Sequence, residues 1–311
     1  MQAITCISLC TMRESSLPSS SVICLGNFDG VHLAHRELMR QTAILQAAVA
    51  PMASRAVFCF DPPTSELLSP TPIPQLTMRE EKLALFREMG MEYALLANFS
   101  AIRDLSPHDF VKLILQGECG CVAAVCGFNY RFGKNAGGSG DDLKRLLGAP
   151  VFMQDEVLIN GETVSSTAIR RLLGSGEVER ANQMLARPYA ISAEVIHGKA
   201  LGHKLGTPTL NQRFPSGMLI PRHGVYVTDC EIDGKIYRGV SNVGLRPTVE
   251  NTEVANCETY LLDFSGDLYG RTLRVAFRSF IRPEQTFDSL DALREQIARD
   301  VAYARSYTEQ I

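Results

Sequence analysis

A glycine-rich segment in the second half of the chain has the residue types expected of a phosphate-binding loop. Glycines recur at every fourth position over Gly198–Gly206, and Lys204 stands among them. Glycine lets the backbone approach a ligand closely, and successive N–H groups in such a loop form an anion-binding concavity. Thr209 and Asn211 follow on an extended segment and offer neutral oxygens that suit a magnesium ion carrying nucleotide phosphates. The segment therefore predicts a phosphate and metal site, and a glycine-rich hairpin loop without a ligand is the alternative.

Residues downstream of this segment connect it to a known family. A polar stretch lies at 241–248, and Glu258 stands in the run 257–264. Further matching runs lie at 224–226, 267–270 and 293–300. From Arg187 to Ala304 the chain resembles the riboflavin kinase family. The resemblance implies that Glu258 is the catalytic base, although a single strand glutamate is more commonly an exposed carboxylate. It also implies magnesium ligands at Thr209 and Asn211 and ATP contacts at Gly198, Gly202, Lys204, Gly206 and Pro208.

A second candidate site lies near the start of the chain. The apolar run 21–25 leads into the loop Gly26–His35, and a helical pattern follows. A glycine-flanked loop at a helix N-terminus binds anions. His32 and His35, three residues apart, can face one phosphate and stabilise the charge that develops during nucleotidyl transfer. The alternatives are a turn with two exposed histidines and a paired metal site, for which no third ligand stands at a standard spacing.

This loop resembles the HxGH signature of the cytidylyltransferase-like nucleotidyltransferases, in the version found in bacterial FAD synthetases. Ser165–Arg170 matches a second motif of that family, although a Ser-Ser-Thr run by itself is most simply a helix cap. Three positions depart from the family pattern, namely Ala34 for Gly, Pro63 for His and Asn129 for Asp. The resemblance implies flavin contacts at Gly127 and Asn129. It implies ATP contacts at Gly26, Asn27, Phe28, Asp29, Gly30, Ser165, Ser166, Thr167 and Arg170.

Taken together, the chain resembles the bacterial bifunctional riboflavin kinase/FAD synthetase family over nearly its full length. The resemblance implies phosphorylation of riboflavin to FMN and adenylylation of FMN to FAD, with ATP as co-substrate, Mg²⁺ as cofactor and flavins as substrates or products. Because the three departures fall in the first half, a monofunctional riboflavin kinase with an inactive or regulatory first half is the alternative. A flavin-binding protein without activity is a third interpretation, against which the intact Thr209, Asn211 and Glu258 argue.

The elements that position these residues predict two domains. Short apolar runs alternate with helical patterns up to residue 186, which indicates an α/β nucleotidyltransferase domain with a Rossmann-like parallel sheet. From 187 to 311, short alternating strands with turn signals indicate an all-β antiparallel barrel with a C-terminal helix. Strands are predicted at 21–25, 56–60, 93–96, 122–126, 190–196, 224–232, 235–243, 257–262 and 273–280. Helices are predicted at 35–50, 77–89 and 289–306.

Composition limits the classes of partner and compartment. The 311 residues carry a net charge of -3, which gives no sign of nucleic-acid binding. No apolar run has the length of a membrane span, and the N-terminus lacks a signal-peptide pattern. The nine cysteines are scattered without disulfide or zinc spacing, which indicates a reducing, cytoplasmic setting. We expect small-molecule substrates and neither nucleic acid nor membrane as partners, and the sequence leaves a monomer or a weak homo-oligomer open.

Overall fold

The computed structural model describes two compact units, Met1–Ser166 and Thr167–Ile311. The described residues are 5–9, 17–61, 71–197, 209–247 and 253–308. No helix among them is long and apolar enough to cross a membrane.

The first unit is built on a six-stranded, all-parallel sheet, which confirms the predicted α/β class. Its strands are β1 (Thr5–Leu9), β2 (Ser21–Leu25), β3 (Ser54–Phe60), β4 (Tyr93–Ala97), β5 (Cys121–Gly127) and β8 (Val151–Gln154). They lie in the order β1-β4-β3-β2-β5-β8. The sequence predicts the four central strands but neither edge strand. Central strands read as continuous apolar runs because both of their faces are buried.

Helices cover both faces of this sheet. They are α1 (Leu33–Val49), α2 (Arg79–Glu88), α3 (Phe99–Ile102), α4 (Pro107–Asp109), the π-helical segment Phe110–Glu118 that follows α4, and α5 (Gly140–Leu147). On one face, Ile23 and Phe58 pack beneath the π-helical segment and α5. On the other, Cys24 and Val57 pack beneath α1 and α2. Two two-stranded sheets pair β6 (Arg131–Phe132) with β7 (Gly138–Ser139), and β9 (Leu158–Ile159) with β10 (Glu162–Thr163).

The predicted start of α2 is wrong. Thr77, with Glu80 three residues later, predicts a capping box, but the helix begins at Arg79 with Met78 as its N-cap. Thr77 is fully buried, and its backbone N–H donates to Oδ1 of Asp29 at 3.2 Å. Thr77 thus precedes the N-cap, and its backbone contacts a residue far away in the chain.

The second unit carries a six-stranded antiparallel sheet that nearly closes into the predicted barrel. Its strands are β11 (Ala190–Glu194), β12 (Thr209–Arg213), β13 (Gly224–Ile232), β14 (Lys235–Pro247), β15 (Glu253–Leu261) and β16 (Thr272–Arg282). They lie in the order β11-β16-β13-β14-β15-β12. The backbone N–H of Ile196 donates to the carbonyl of Asn211 at 2.8 Å, and Gln212 Nε2 donates to the carbonyl of Ala193 at 2.6 Å. These contacts join the two edges of the sheet.

The predicted hairpin turn at Asp233–Gly234 is confirmed. Ile232 pairs with Lys235, and both turn residues have positive φ, at 52° and 79°. Two successive residues with positive φ define the turn type that suits a two-residue hairpin. The turn fixes the register of β13 and β14.

The compact units divide at Ser166, ahead of the division at 186 that the sequence indicates. The helices α6 (Ser166–Ser175) and α7 (Val178–Leu185) account for the difference. The backbone N–H of Arg222 donates to the carbonyl of Leu173 at 2.9 Å. Asn182 bridges the carbonyl of Phe277 and the N–H of Tyr189, at 2.8 Å each. These contacts attach α6 and α7 to the barrel. The strand pattern, which indicates the division at 186, begins only after these helices.

The C-terminal helix α8 (Leu290–Ser306) packs on the outside of the barrel, with Ala304 buried against Val227 and Leu262. Its Asp300 is 3% exposed and forms an ion pair with Arg282 at the end of β16, with Nη2 and Oδ2 2.8 Å apart. Arg282 Nε lies 3.1 Å from Oδ1 of Asp300, and Gln296 Nε2 donates to the same oxygen at 2.9 Å. The pair fixes the chain where β16 ends.

Candidate active sites

The histidine loop leaves the carboxyl end of the central strand β2 and enters α1. Its backbone has positive φ at Phe28 (52°), Gly30 (86°) and Val31 (41°). Positive φ is uncommon for residues other than glycine and costs energy, so it marks a loop that its surroundings hold in place. The ring of Phe28 is fully buried, and a Cβ at Gly26 would lie 3.1 Å from its Cζ. Any contact of Phe28 with a nucleotide would therefore come from its backbone.

His32 and His35 lie together at the start of α1. Their rings stack with centroids 3.6 Å apart and planes 15° apart, and the ring of Phe28 lies 5.1 Å from that of His35. His32 is the N-cap residue and is 4% exposed. Because α1 begins at Leu33, earlier than predicted, both histidines lie at the end of the helix where its dipole favours an anion. The arrangement fits donors to one phosphate.

Asp29 forms the internal anchor of this loop. Its carboxylate accepts from the backbone N–H of Leu76, at 2.9 Å to Oδ1, and from that of Thr77. The carboxylate is 8% exposed, so these contacts are shielded from water. The sequence predicts Asp29 as an ATP contact, whereas the structure places its side chain on the chain that leads into α2. Nothing in the sequence within the loop signals this role.

The second motif predicted in the first half, Ser165–Arg170, contacts the histidine loop through Ser166. Ser166 Oγ donates to the backbone carbonyl of Asp29 at 2.8 Å, across 137 residues of chain. Ser165 precedes α6, and Thr167 and Arg170 lie in its first turns. The predicted helix start is therefore confirmed. The contact joins Ser166 to the loop before α1.

The departures from the family pattern have different surroundings. Ala34 lies within α1, where any residue other than proline can take the helical backbone. Asn129 is exposed after β5, and its Oδ1 would lie 3.5 Å from a Cβ at Gly127. Pro63 lies outside the described residues. Within the described part of the chain, no group of three or more His, Cys, Asp or Glu could hold a metal ion.

In the second unit, two predicted residues of the kinase site, Glu258 and Asn211, lie in one row with Asn242, across three strands. Glu258 on β15 pairs with Asn211 on β12 and with Asn242 on β14. Side chains of directly paired residues point to the same face, with Cβ atoms roughly 5 Å apart. Glu258 is half-buried and Asn211 is 4% exposed. Asn242 lies in the polar stretch 241–248 and was not among the predicted site residues.

Asn211 has its amide fixed by neighbours. Its Nδ2 donates to the backbone carbonyl of Thr209 at 3.3 Å, and its Oδ1 accepts from Asn256 Nδ2 at 3.2 Å. Asn256 is 6% exposed and lies two residues before Glu258, on the same face of β15. A period of two from Glu258 is the signal that could have identified it. The remaining ATP contacts predicted here lie outside the described residues: Gly198, Gly202, Lys204, Gly206 and Pro208.

A cleft lies beside this row. It has a volume of about 640 Å³ and is lined by Glu284, Gln285 and Thr286, which connect β16 to α8. Glu284 accepts from Asn242 Nδ2, with Oε1 3.0 Å away. The cleft is thus next to the residue that faces Glu258.

The polar residues inside the barrel form a separate group. Thr228, Ser241 and Thr259 are fully buried, and their hydroxyls form a chain with 2.7 Å between successive oxygens. They point to the opposite face of the sheet from Glu258, because they alternate with it along the strands. These hydrogen bonds provide partners for the three hydroxyls in the core of the barrel, and the candidate site lies on the outer face.

Comparison with known proteins gives a separate family match for each of the two parts of the chain. A family model described as FAD synthetase matches residues 14–168, and one described as riboflavin kinase matches residues 185–308. A Pseudomonas fluorescens protein named bifunctional riboflavin kinase/FMN adenylyltransferase is 36% identical over 289 residues, which cover 92% of both chains. A Bacillus subtilis protein of the same name is 33% identical over 298 residues, 93% of both chains.

A solved structure has the same fold over the whole chain. It is titled as a macrolide-efflux protein from Streptococcus pneumoniae. It superposes with a TM-score of 0.90 and 29% identity, and the match covers 98% of this chain and 100% of the other.

Proposed function

This chain belongs to the family of bifunctional riboflavin kinases/FMN adenylyltransferases, and we propose that it phosphorylates riboflavin to FMN and adenylylates FMN to FAD, using one ATP for each step. The observation that carries the proposal is that distant predicted motifs lie together in each unit. Asn211 and Glu258 share one row, and Ser166 contacts the loop that holds the stacked His32 and His35.

For the first reaction we assign Glu258 as the general base. The riboflavin 5′-hydroxyl loses its proton to this carboxylate while its oxygen bonds to the γ-phosphorus of ATP. The bond from that phosphorus to the β–γ bridging oxygen breaks, and ADP leaves. Proton removal by a positioned carboxylate contributes about 10²–10⁴-fold to the rate. Its half-buried strand position, in one row with Asn211 and Asn242, supports the assignment.

Thr209 and Asn211 are the residues we assign to Mg²⁺. Their oxygen donors fit, since magnesium takes hard oxygen ligands and binds through one or two protein groups plus substrate phosphates. Asn211 Oδ1 accepts only one hydrogen bond among the described residues, from Asn256, and an amide oxygen has two lone pairs. The ion, when bound, neutralises phosphate charge. The protein's own part is to hold Asn211 rigid through Thr209 and Asn256.

For the second reaction we assign His32 and His35 as donors to the transferring phosphate. An FMN phosphate oxygen attacks the α-phosphorus of ATP, the bond to the α–β bridging oxygen breaks, and pyrophosphate leaves. No protein nucleophile is needed. Stacked imidazoles at a helix N-terminus supply positive potential where charge develops in the transition state. Gly127 and Asn129 at the end of β5 are assigned to the flavin, and the hydroxyls of Ser165–Thr167 and the guanidinium of Arg170 to ATP.

We further propose that adenylylation belongs to residues 1–186, phosphorylation to residues 187–311, and the protein to the cytoplasm. The ranges of the two family models support the division. Seven of the nine cysteines are free, buried thiols in the structure, which supports a reducing compartment.

The test is to incubate the purified protein with riboflavin, ATP and magnesium, and to separate riboflavin, FMN and FAD by chromatography. Glu258→Ala should lower FMN formation at least ~10²-fold. His32→Ala should abolish FAD formation from FMN and leave phosphorylation intact. Glu231→Ala on β13 and His108→Ala, both at exposed positions, are the matched controls and should change neither rate.

Two results would contradict the proposal. Retention of more than about a tenth of the kinase rate in Glu258→Ala would exclude Glu258 as the base. Formation of FMN without detectable FAD at saturating ATP and magnesium would replace the bifunctional assignment with a monofunctional kinase.

A further inference from the structure

Glu284 occupies a specific place beside the kinase row although it is an exposed residue. Its Oε1 accepts from Asn242 Nδ2 at 3.0 Å. The same carboxylate fills the space above Gly244: a Cβ at that position would lie 2.3 Å from Oε1 and 2.9 Å from Cδ. Gly244 stands two residues after Asn242, on the same face of β14. In the conformation that reaches Asn242, Glu284 therefore occupies space that a side chain at position 244 would take.

The contact determines the orientation of the Asn242 amide. An ionised carboxylate only accepts hydrogen bonds, so the nitrogen of the amide must face Glu284 and its oxygen must face away. Asn242 is directly paired with Glu258. An amide of fixed orientation thus stands beside the proposed base.

Both ends of the segment that carries Glu284 are held by the fold. Arg282 is tied to Asp300 through Nη2 and Oδ2 at 2.8 Å, and its Nη1 donates to the carbonyl of Pro283 at 3.1 Å. At the other end, Ser289 Oγ accepts from the N–H of Ala292 and caps α8. Only a short segment separates these anchors, so the position of Glu284 follows from the junction between β16 and α8.

We infer that Glu284 is a positioning residue of the riboflavin kinase site, which holds the Asn242 amide beside Glu258, and that Gly244 is required to leave room for it. This inference rests on the proposed function. It concerns the chemical step rather than substrate affinity, because Glu284 acts through Asn242 on the surroundings of the base.

The test compares Glu284→Ala, Glu284→Gln, Gly244→Ala and the double variant Glu284→Ala/Gly244→Ala in steady-state riboflavin phosphorylation. Glu284→Ala should lower kcat about ten-fold or more and change the KM for riboflavin less than about three-fold, as expected when transition-state interactions are lost. Glu284→Gln keeps an accepting oxygen but adds a donor NH2, so it fixes the Asn242 amide less strictly, and its loss of kcat should be smaller than that of Glu284→Ala. FMN adenylylation, measured on the same preparations, should be unchanged in every variant.

Gly244→Ala should disrupt the same hydrogen bond, because its Cβ displaces Glu284 from Asn242. The atom that its Cβ would meet is the end of a flexible side chain, so Glu284 should be displaced without damage to the sheet. The loss of kcat should match that of Glu284→Ala, and the double variant should be no worse than the poorer single variant, because both remove one interaction. Glu295→Ala, an exposed carboxylate on α8, is the control for loss of charge.

Three outcomes would overturn the inference: wild-type kcat in Glu284→Ala, equal losses in Glu284→Gln and Glu284→Ala, or additive losses in the double variant. A raised KM with unchanged kcat would also contradict it, since that result indicates direct substrate binding. Absence of kinase activity from the wild-type protein would instead contradict the proposed function, so the two failures are distinguishable.

Discussion

Replacement of Asp29 by alanine tests whether the adenylylation loop depends on a structural anchor or on a direct ATP ligand. The carboxylate is the acceptor for the backbone N–H groups of Leu76 and Thr77, which are 1% and 0% exposed. In Asp29→Ala both donors lose this acceptor. Burial limits the access of water as a replacement, so the cost should appear in the stability of the first unit.

The magnitude follows from the number of donors. A hydrogen bond to a charged group contributes about 1.5–3 kcal/mol, so two such donors give about 3–6 kcal/mol as an upper range. Partial relaxation of the chain at Leu76 favours the lower end, about 3 kcal/mol. For a unit of this size each kcal/mol lowers Tm by about 2–4 °C, so Tm should fall by about 6–12 °C.

Scanning calorimetry of the full-length protein, with both activities assayed at a temperature well below the transition, measures this effect. Asp29→Asn keeps Oδ1 as an acceptor and should lose less than half as much stability. Asp104→Ala is the matched control, because that carboxylate is exposed. FAD formation should fall in Asp29→Ala because the loop carries His32, and riboflavin phosphorylation should stay at the wild-type rate.

The opposite pattern would refute the argument. If Asp29→Ala melted within about 2 °C of the wild type, which corresponds to 1 kcal/mol or less, while its KM for ATP in adenylylation rose, Asp29 would be a ligand of the nucleotide. The hydrogen bonds to Leu76 and Thr77 would then contribute little to stability.

Three further predictions concern other parts of the chain. Asp300→Ala leaves Arg282 without its buried partner and should cost about 3–5 kcal/mol in unfolding free energy, measured by denaturant titration, whereas a change of less than about 1 kcal/mol would show that the pair contributes little. Burial raises the pKa of the Cys24 thiol to about 12 and that of Cys126 to about 11, so less of each is thiolate at pH 8. Peptide mapping after iodoacetamide treatment should find both unlabelled in the native protein and labelled after denaturation; native labelling of Cys24 would contradict this. Asn256→Ala removes the donor to Asn211 and should weaken use of magnesium–ATP in riboflavin phosphorylation alone; an equal loss in FMN adenylylation would contradict the assignment.

The sequence by itself determined the class of each half and the position of most central elements. β2 was predicted at its observed bounds because a strand buried on both faces is a continuous apolar run. The bounds of β13 and the turn at Asp233–Gly234 were likewise correct. These features are local: side-chain periodicity and turn residues act over a few positions. The motif around His32 could be recognised for the same reason, since a loop followed by a helix is continuous in sequence.

The tertiary structure decided which distant residues share a site. Strand register pairs Glu258 on β15 with Asn242 on β14 and with Asn211 on β12. No local pattern encodes the hydrogen bond from Asn242 to Glu284, because its partners stand 42 residues apart. The role of Asp29 could not be predicted either. Its carboxylate accepts from backbone N–H groups, which every non-proline residue carries, so no residue type in the sequence signals the contact. Contacts of this kind depend on how elements pack, and packing is a property of the whole fold rather than of any one segment.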